Sequence, residues 1–332
     1  DGWAMECRIN AEDPFRGFLP STGRLVRYLP PEEIPGAVRV DTGVCEGGEI
    51  SMYYDSMIAK LITHGASRDE ANRRMREALD AFVIRGVSCN ISFQAALMQH
   101  PRFVSGRFTT GFIADEYPKG FHPAYVPHEN PLLLASVAVF ARRRYIERAV
   151  RTTGQLAGHE RKVGSGWVAI LGRERYALEL ARIEGGYAVC FRGDRHELKS
   201  GWRPGQVLFR VTWDDAPVCL QVERRGLAYR VIHGGREVDA VVMTTRAAEL
   251  LAMMPEKAPP DLSRFLLSPM PGLLREVAVT SGQEVKAGET LAVIEAMKME
   301  NILKAENDCT VEAVLARAGE SVAVDQPILR FR

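Results

Sequence analysis

Residues 268–332 carry one pattern twice. Leu274-Arg-Glu-Val-Ala-Val, Ser281-Gly282-Gln-Glu-Val285 and Leu291 lie on Val311-Glu-Ala-Val-Leu-Ala, Ala318-Gly319-Glu-Ser-Val322 and Ile328 at a constant offset of 37 residues. Two such strand–turn–strand units cannot each bury a core alone. They predict a flattened pseudo-two-fold sandwich of two small sheets. The hairpin joining the units must project from one end, and it contains Glu295-Ala296-Met297-Lys298-Met299-Glu300. A lysine at such a tip is ordinarily a solvated charge. Two methionines beside it gain little from folding at a solvent-facing turn, so they read as a recognition patch for a modifying enzyme. Acylation of Lys298 would remove its charge and leave a long tether.

The rest of the chain has other textures. Within residues 1–120, Ser67-Arg68-Asp69-Glu70 is a capping box, and Ala71, Met75, Ala78, Leu79 and Phe82 follow at helical spacing. This predicts a helix over 68–84. Periodicity leaves 53–64 open between strand and helix. Pro118, Pro123, Pro127 and Pro131 forbid a continuous helix and mark a connection. An isolated helix, apolar first and basic later, is expected over 132–151. Seven short alternating runs follow between 160 and 243: 167–171, 176–183, 187–191, 207–213, 218–222, 229–232 and 238–243. Tight-turn pairs such as Gly234-Gly235 separate them. They predict an antiparallel barrel or sandwich packed by Trp167, Trp202 and Trp213. A helix over 245–254 ends at Pro255, and Pro255, Pro259 and Pro260 form a second linker. The expected fold is therefore mixed α/β and mainly β, in three parts: 1–120, 121–260 and 261–332.

Composition narrows the function. Lys+Arg is 43 against Asp+Glu 42, which gives no electrostatic case for nucleic acid. Arg142-Arg143-Arg144 and Arg224-Arg225 read as solvated faces, or failing that as subunit contacts. The six cysteines form no CxxC and the seven histidines no ligand spacing, so no metal site is expected and the thiols read as free. The apolar run 132–141 is too short to cross a bilayer.

Ser268-Pro269-Met270-Pro271-Gly272 followed by Glu295-Ala-Met-Lys-Met-Glu300 resembles the biotin carboxyl carrier domain of the biotin-dependent carboxylases. The resemblance implies that a biotin protein ligase attaches biotin to Lys298, recognised with Met297 and Met299. Lipoyl domains, the related alternative, usually show Asp-Lys-Ala at the tip. Glu6-Cys-Arg-Ile-Asn-Ala-Glu-Asp-Pro14, Pro20-Ser21-Thr22-Gly23, Val38-Arg39-Val-Asp41 and Tyr54-Asp-Ser-Met-Ile-Ala-Lys-Leu61 resemble the C-terminal part of a biotin carboxylase domain, which is an ATP-grasp fold. By that resemblance Arg8 lies beside the biotin ureido group, Asp55 belongs to the same site, and Arg39 is structural at a subunit interface. A fixed guanidinium fork suits the stabilisation of a developing oxyanion. The family uses ATP, Mg and bicarbonate. Its phosphate loop and magnesium-binding glutamates are not found here, and the opening Asp1-Gly2-Trp3 reads as that of a fragment.

Residues 103–113 and 117–121 resemble acyl-CoA carboxylase α subunits, and 245–250 with 254–257 resemble the propionyl-CoA type more than the methylcrotonyl-CoA type. That implies a middle domain of helix plus antiparallel barrel, docked on a carboxyltransferase β subunit. The implied activity is CO2 transfer from biotin to propionyl-CoA, giving methylmalonyl-CoA. Acyl-CoA choice would reside in the β subunit. Only 8 of the 43 basic residues are lysine, a bias that points to a bacterial cytoplasm, or to the mitochondrial matrix in a eukaryote.

Overall fold

The computed structural model describes residues 1–332 except 123–125, 127–129, 157, 160–161, 256–263 and 297–298. Three hydrophobic cores follow one another along it.

The first core lies behind a three-stranded antiparallel sheet. Strand Met57–Gly65 sits in the middle, between Trp3–Asn10 and Val38–Thr42. The 53–64 ambiguity thus resolves as a strand. Alternation puts Cys7, Ile9, Ala59 and Leu61 inward. They pack with Met75 and Leu79 of helix Arg68–Ala81. Ser67 Oγ accepts from the Glu70 amide at 3.2 Å, and Glu70 Oε2 accepts from the Ala66 amide at 2.9 Å. The helix stops at Ala81, three residues short of the sequence expectation. Phe82 is extended, and Val83–Arg85 pairs with Arg27–Leu29. β-branched Val83 and Ile84 favour that pairing over another helical turn.

The second core belongs to helix Pro131–Ala149 and an eight-stranded closed antiparallel barrel. Its strands are Gly166–Leu171, Glu174–Ile183, Gly186–Phe191, Asp194–Lys199, Leu208–Trp213, Ala216–Arg225, Ala228–His233 and Arg236–Thr244. The last pairs with the first, from Trp167↔Thr244 to Leu171↔Ala240, and the slightest join is between Asp194–Lys199 and Leu208–Trp213, at Leu198↔Trp213 and Lys199↔Thr212. The helix is not isolated as expected. Residues 133–141 are all buried, and Phe140 meets Tyr187 and Phe209 edge-on from two different strands. A helix apolar on every face is a core element. Nor is the whole arginine run solvated. Arg143 is buried, donates to the Leu180 carbonyl at 2.7 Å and to Glu147 at 3.1 Å, and stacks over Tyr187. Trp167, Trp202 and Trp213 do pack this core. The strand missed in the sequence is Asp194–Lys199, where Leu198 alone is buried. Asp214-Asp215 makes its hairpin turn with positive φ at both residues, a conformation more often given to glycine. The helix after the barrel is Thr245–Leu251, shorter than expected.

The first core and the barrel share a hydrogen-bonded seam. Gln221, 3% exposed, donates to the Asp80 and Phe82 carbonyls at 3.0 Å each and accepts from Arg85 at 2.7 Å. Arg85 also pairs with Glu223 at 2.5 Å. Asp80 Oδ1 accepts from the Gly234 amide at 2.7 Å, and Gln99 donates to the Gly234 carbonyl at 2.8 Å. Gly235 comes so near that a Cβ there would lie 2.5 Å from the Ser92 oxygen.

The third core is the expected sandwich. Its sheets run 299–304, 290–296, 272–277, 321–322 and 265–267, 327–331, 309–314, 284–285, in that order. Adding 37 to the strands of one sheet, or subtracting it, gives the other, so the repeat exchanges the sheets strand for strand. Among the described residues, no helix is long and apolar enough to cross a membrane.

Burial pushes the Asp80 carboxyl up to about 7, against the Gly234 amide and Arg76, and Glu77 adds to the rise. His233 Nε2 lies 3.5 Å away. Between roughly pH 4 and 7 the unfolded chain releases this proton while the folded chain holds it, so stability declines with rising pH through that window. Asp80→Asn should flatten the decline. Urea midpoints at pH 4.5 and 7.5 check this: the wild type should lose more than the variant.

Candidate functional site

The outward face of the three-stranded sheet holds the first group of candidates. Arg8 stands on strand Trp3–Asn10 between buried Cys7 and Ile9, so its side chain points to solvent, 65% exposed. The register places Arg8 opposite Lys60 and Lys60 opposite Asp41, one row across three strands. Glu6, Ile62 and Arg39 form the next row. Residues directly opposite share a face. Lys60 had no signal of its own in the sequence; only strand pairing sets it beside Arg8.

The backbone under Arg8 is pinned. Its carbonyl accepts from Asn90 Nδ2 at 3.0 Å and Gln94 Nε2 at 3.3 Å. Its Nε meets Glu6 Oε1 at 3.2 Å. The remaining guanidinium nitrogens have no described hydrogen-bond partner. Arg39 pairs with Asp41 at 2.9 Å. Asp55 is exposed in the loop before strand Met57–Gly65, where its Oδ1 accepts from the Met57 amide at 2.9 Å. That loop is tied to the Arg8 strand: Ser56 Oγ donates to Glu12 at 2.6 Å, and the Ala11 amide donates to the Ser56 carbonyl at 2.7 Å. Arg8 and Asp55 therefore stand on adjoining segments. Cys7 is no nucleophile, since burial, helped by Glu6, pushes its thiol up to about 12. All six cysteines are free.

The second group is on the sandwich. Lys298 and Met297 lie outside the described residues. Met299, half-exposed, pairs with Ala296 across the hairpin. Behind it, Ser268 and Met270 are buried; Ser268 Oγ donates to the Met270 carbonyl at 2.6 Å, and Asn301 Nδ2 approaches Met270 Sδ at 3.5 Å. Gly272 is required by close approach, because a Cβ there would sit 2.6 Å from Ile294 Cγ2 and 2.7 Å from the Glu295 oxygen. The Ser268–Gly272 segment thus packs against the base of the hairpin.

Three family models match in succession: biotin carboxylase C-terminal domain over residues 6–115, propionyl-coenzyme A carboxylase BT domain over 134–257, and biotin-requiring enzyme over 265–331. The propionyl-CoA carboxylase alpha chain of Ruegeria pomeroyi is 46% identical over 99% of this chain and 51% of its own length. The chain belongs to the biotin-dependent acyl-CoA carboxylase family. The mitochondrial propionyl-CoA carboxylase alpha chain of Homo sapiens is 36% identical over 97% of this chain and 45% of its own length. The chain thus spans about half the length of these curated relatives. A solved biotin carboxylase domain of the Hydrogenobacter thermophilus 2-oxoglutarate carboxylase is 40% identical, covering 39% of this chain and 27% of that one, with a TM-score of 0.35.

Because Arg8 packs against nothing inside the first core, Arg8→Ala should move the melting temperature by no more than about 2 °C. Differential scanning calorimetry reads this. A larger shift would make Arg8 a folding residue.

Proposed function

We propose that this chain is the biotin-bearing C-terminal half of a propionyl-CoA carboxylase α subunit. Its parts would be 1–120, completing a biotin carboxylase domain; 121–260, docking a carboxyltransferase β subunit; and 261–332, carrying biotin on Lys298. One observation carries the reading: the Met297-Lys298-Met299 hairpin of a two-fold sandwich lies in the same chain as a propionyl-type BT match. The folded residues suit the group. Ala296 and Met299 close the hairpin ladder on either side of 297–298, and half-exposed Met299 offers a biotin protein ligase an apolar hold.

Biotin, when bound, supplies the carrier atom for a carboxyl group obtained from bicarbonate with ATP and Mg. Arg8 holds positive charge at a fixed point on a pinned strand, where it would favour negative charge developing on the ureido carbonyl oxygen. Lys60 adds to the positive potential of the same row. Asp55 lines the neighbouring loop. The carrier then presents its load to the β subunit, where propionyl-CoA would accept the carboxyl group to give methylmalonyl-CoA. The arginine-rich composition supports a bacterial cytoplasm.

Peptide mass spectrometry after co-expression with a biotin ligase tests the attachment. A biotin-sized increase on Lys298, absent in Lys298→Arg, is expected. A lipoyl-sized increase would move the chain to another class of complex. No modification by a ligase active on a control substrate would overturn the carrier reading. Propionyl-CoA carboxylation by the full α subunit with its co-purifying β subunit should vanish in Lys298→Arg. Preferred turnover of methylcrotonyl-CoA would reassign the substrate.

A further inference from the structure

The sandwich touches the first core through a small set of residues outside the biotin hairpin. Arg16 Nη2 lies 3.5 Å from Asp325 Oδ1. Leu19 packs against the sandwich core. Val324 borders a cavity of about 710 Å³ together with Phe15, Ser21 and Thr22.

Both sides of the contact are stiff. Asp13 Oδ1 caps the short helix Pro14–Arg16 by accepting from the Phe15 amide at 3.0 Å, and the Phe18 amide donates to the Asp13 carbonyl at 2.8 Å. Gly17 and Phe18 both have positive φ, and Phe18 is held edge-on by Phe93. Opposite them, Asp325 also has positive φ. Its amide donates to the Ser268 carbonyl at 2.8 Å, and the Gln326 amide donates to the Ala323 carbonyl at 3.2 Å. Neither side must order itself to meet the other, so little conformational entropy opposes the contact.

The contact is at the hairpin end of the sandwich. Val322 pairs with Gly272, and Gly272 lies against Glu295 and Ala296, the last residues of the strand that leads to 297–298. The turn 286–289, related to 323–326 by the 37-residue repeat, lies at the other end, beside the start of that strand.

We propose that residues 14–19 form a docking surface for the carrier domain, gripped through Leu19 and the Arg16–Asp325 pair rather than through the modified lysine. The purpose rests on the carrier reading above; the contact does not. An exposed pair with one leucine is a weak hold, which suits a domain that must leave. The seam at Gln221 and Asp80, by contrast, is a hydrogen-bond network built around a buried amide and does not open cheaply.

The test uses the full-length protein with Cys45→Ser and Cys89→Ser, leaving Arg16 and Asp325 in place. Thr22→Cys with Val324→Cys is treated with a short bis-maleimide, against Thr22→Cys with Glu289→Cys. The first pair should link about tenfold faster, since docking raises its effective concentration. Arg16→Glu should slow it by up to about fivefold, the ceiling for an exposed ion pair, and Arg16→Glu with Asp325→Lys should restore it. Equal rates for the two cysteine pairs, or charge reversal without rescue, would overturn the proposal. Avidin shift on the same samples reads Lys298 separately: cross-linking without biotin would sink the carrier reading and leave the dock standing.

Discussion

The buried amide of Gln221 is the constraint on which the arrangement depends. A polar side chain with almost no exposure must find partners or cost roughly 1–3 kcal/mol. Gln221 finds them on the last turn of the Arg68–Ala81 helix and on Arg85, all in the other core. Removing either side leaves the buried Gln221 amide without its partners. The Arg8 sheet and the barrel consequently behave as one body, because the helix behind the sheet is the same helix whose end is sewn to the barrel.

That rigidity bears on the outward-facing row of Arg8, Lys60 and Asp41. Side chains on a pinned strand keep their spacing, so charge is presented without first being gathered. The sandwich meets the first core differently, through an exposed ion pair and one partly buried leucine.

Much of this was legible in residues alone, and for identifiable reasons. The 37-residue repeat revealed two small sheets through 274–291 and 311–328, while the strands Phe265–Leu267 and Met299–Lys304 lie outside the aligned runs. Barrel strands with one buried face announced themselves by alternation. Asp194–Lys199 did not, since a strand lying mostly in water needs only Leu198 to anchor it. The Pro131–Ala149 helix was visible, but its surroundings were not: nothing within a helix says that a barrel will close about it. Arg143 misled for a related reason, since its burial depends on Glu147, Tyr187 and a carbonyl 37 residues away. Lys60 and the Arg16–Asp325 contact are facts of register and docking, which local pattern does not encode. Lys298, the proposed attachment residue, was the reverse case, named by motif and lying outside the described residues.

Closure of the barrel has a consequence for how its surface can change. With every strand paired on both sides, if only at two residues between Asp194–Lys199 and Leu208–Trp213, another protein has little open ladder there to extend, and recognition falls mainly to turns and outward side chains. Those positions contribute little to the interior around Phe140. The turns at 214–215 and 226–227 could therefore be rewritten over generations while the core is left as it is, letting a lineage renegotiate its associations without renegotiating its fold.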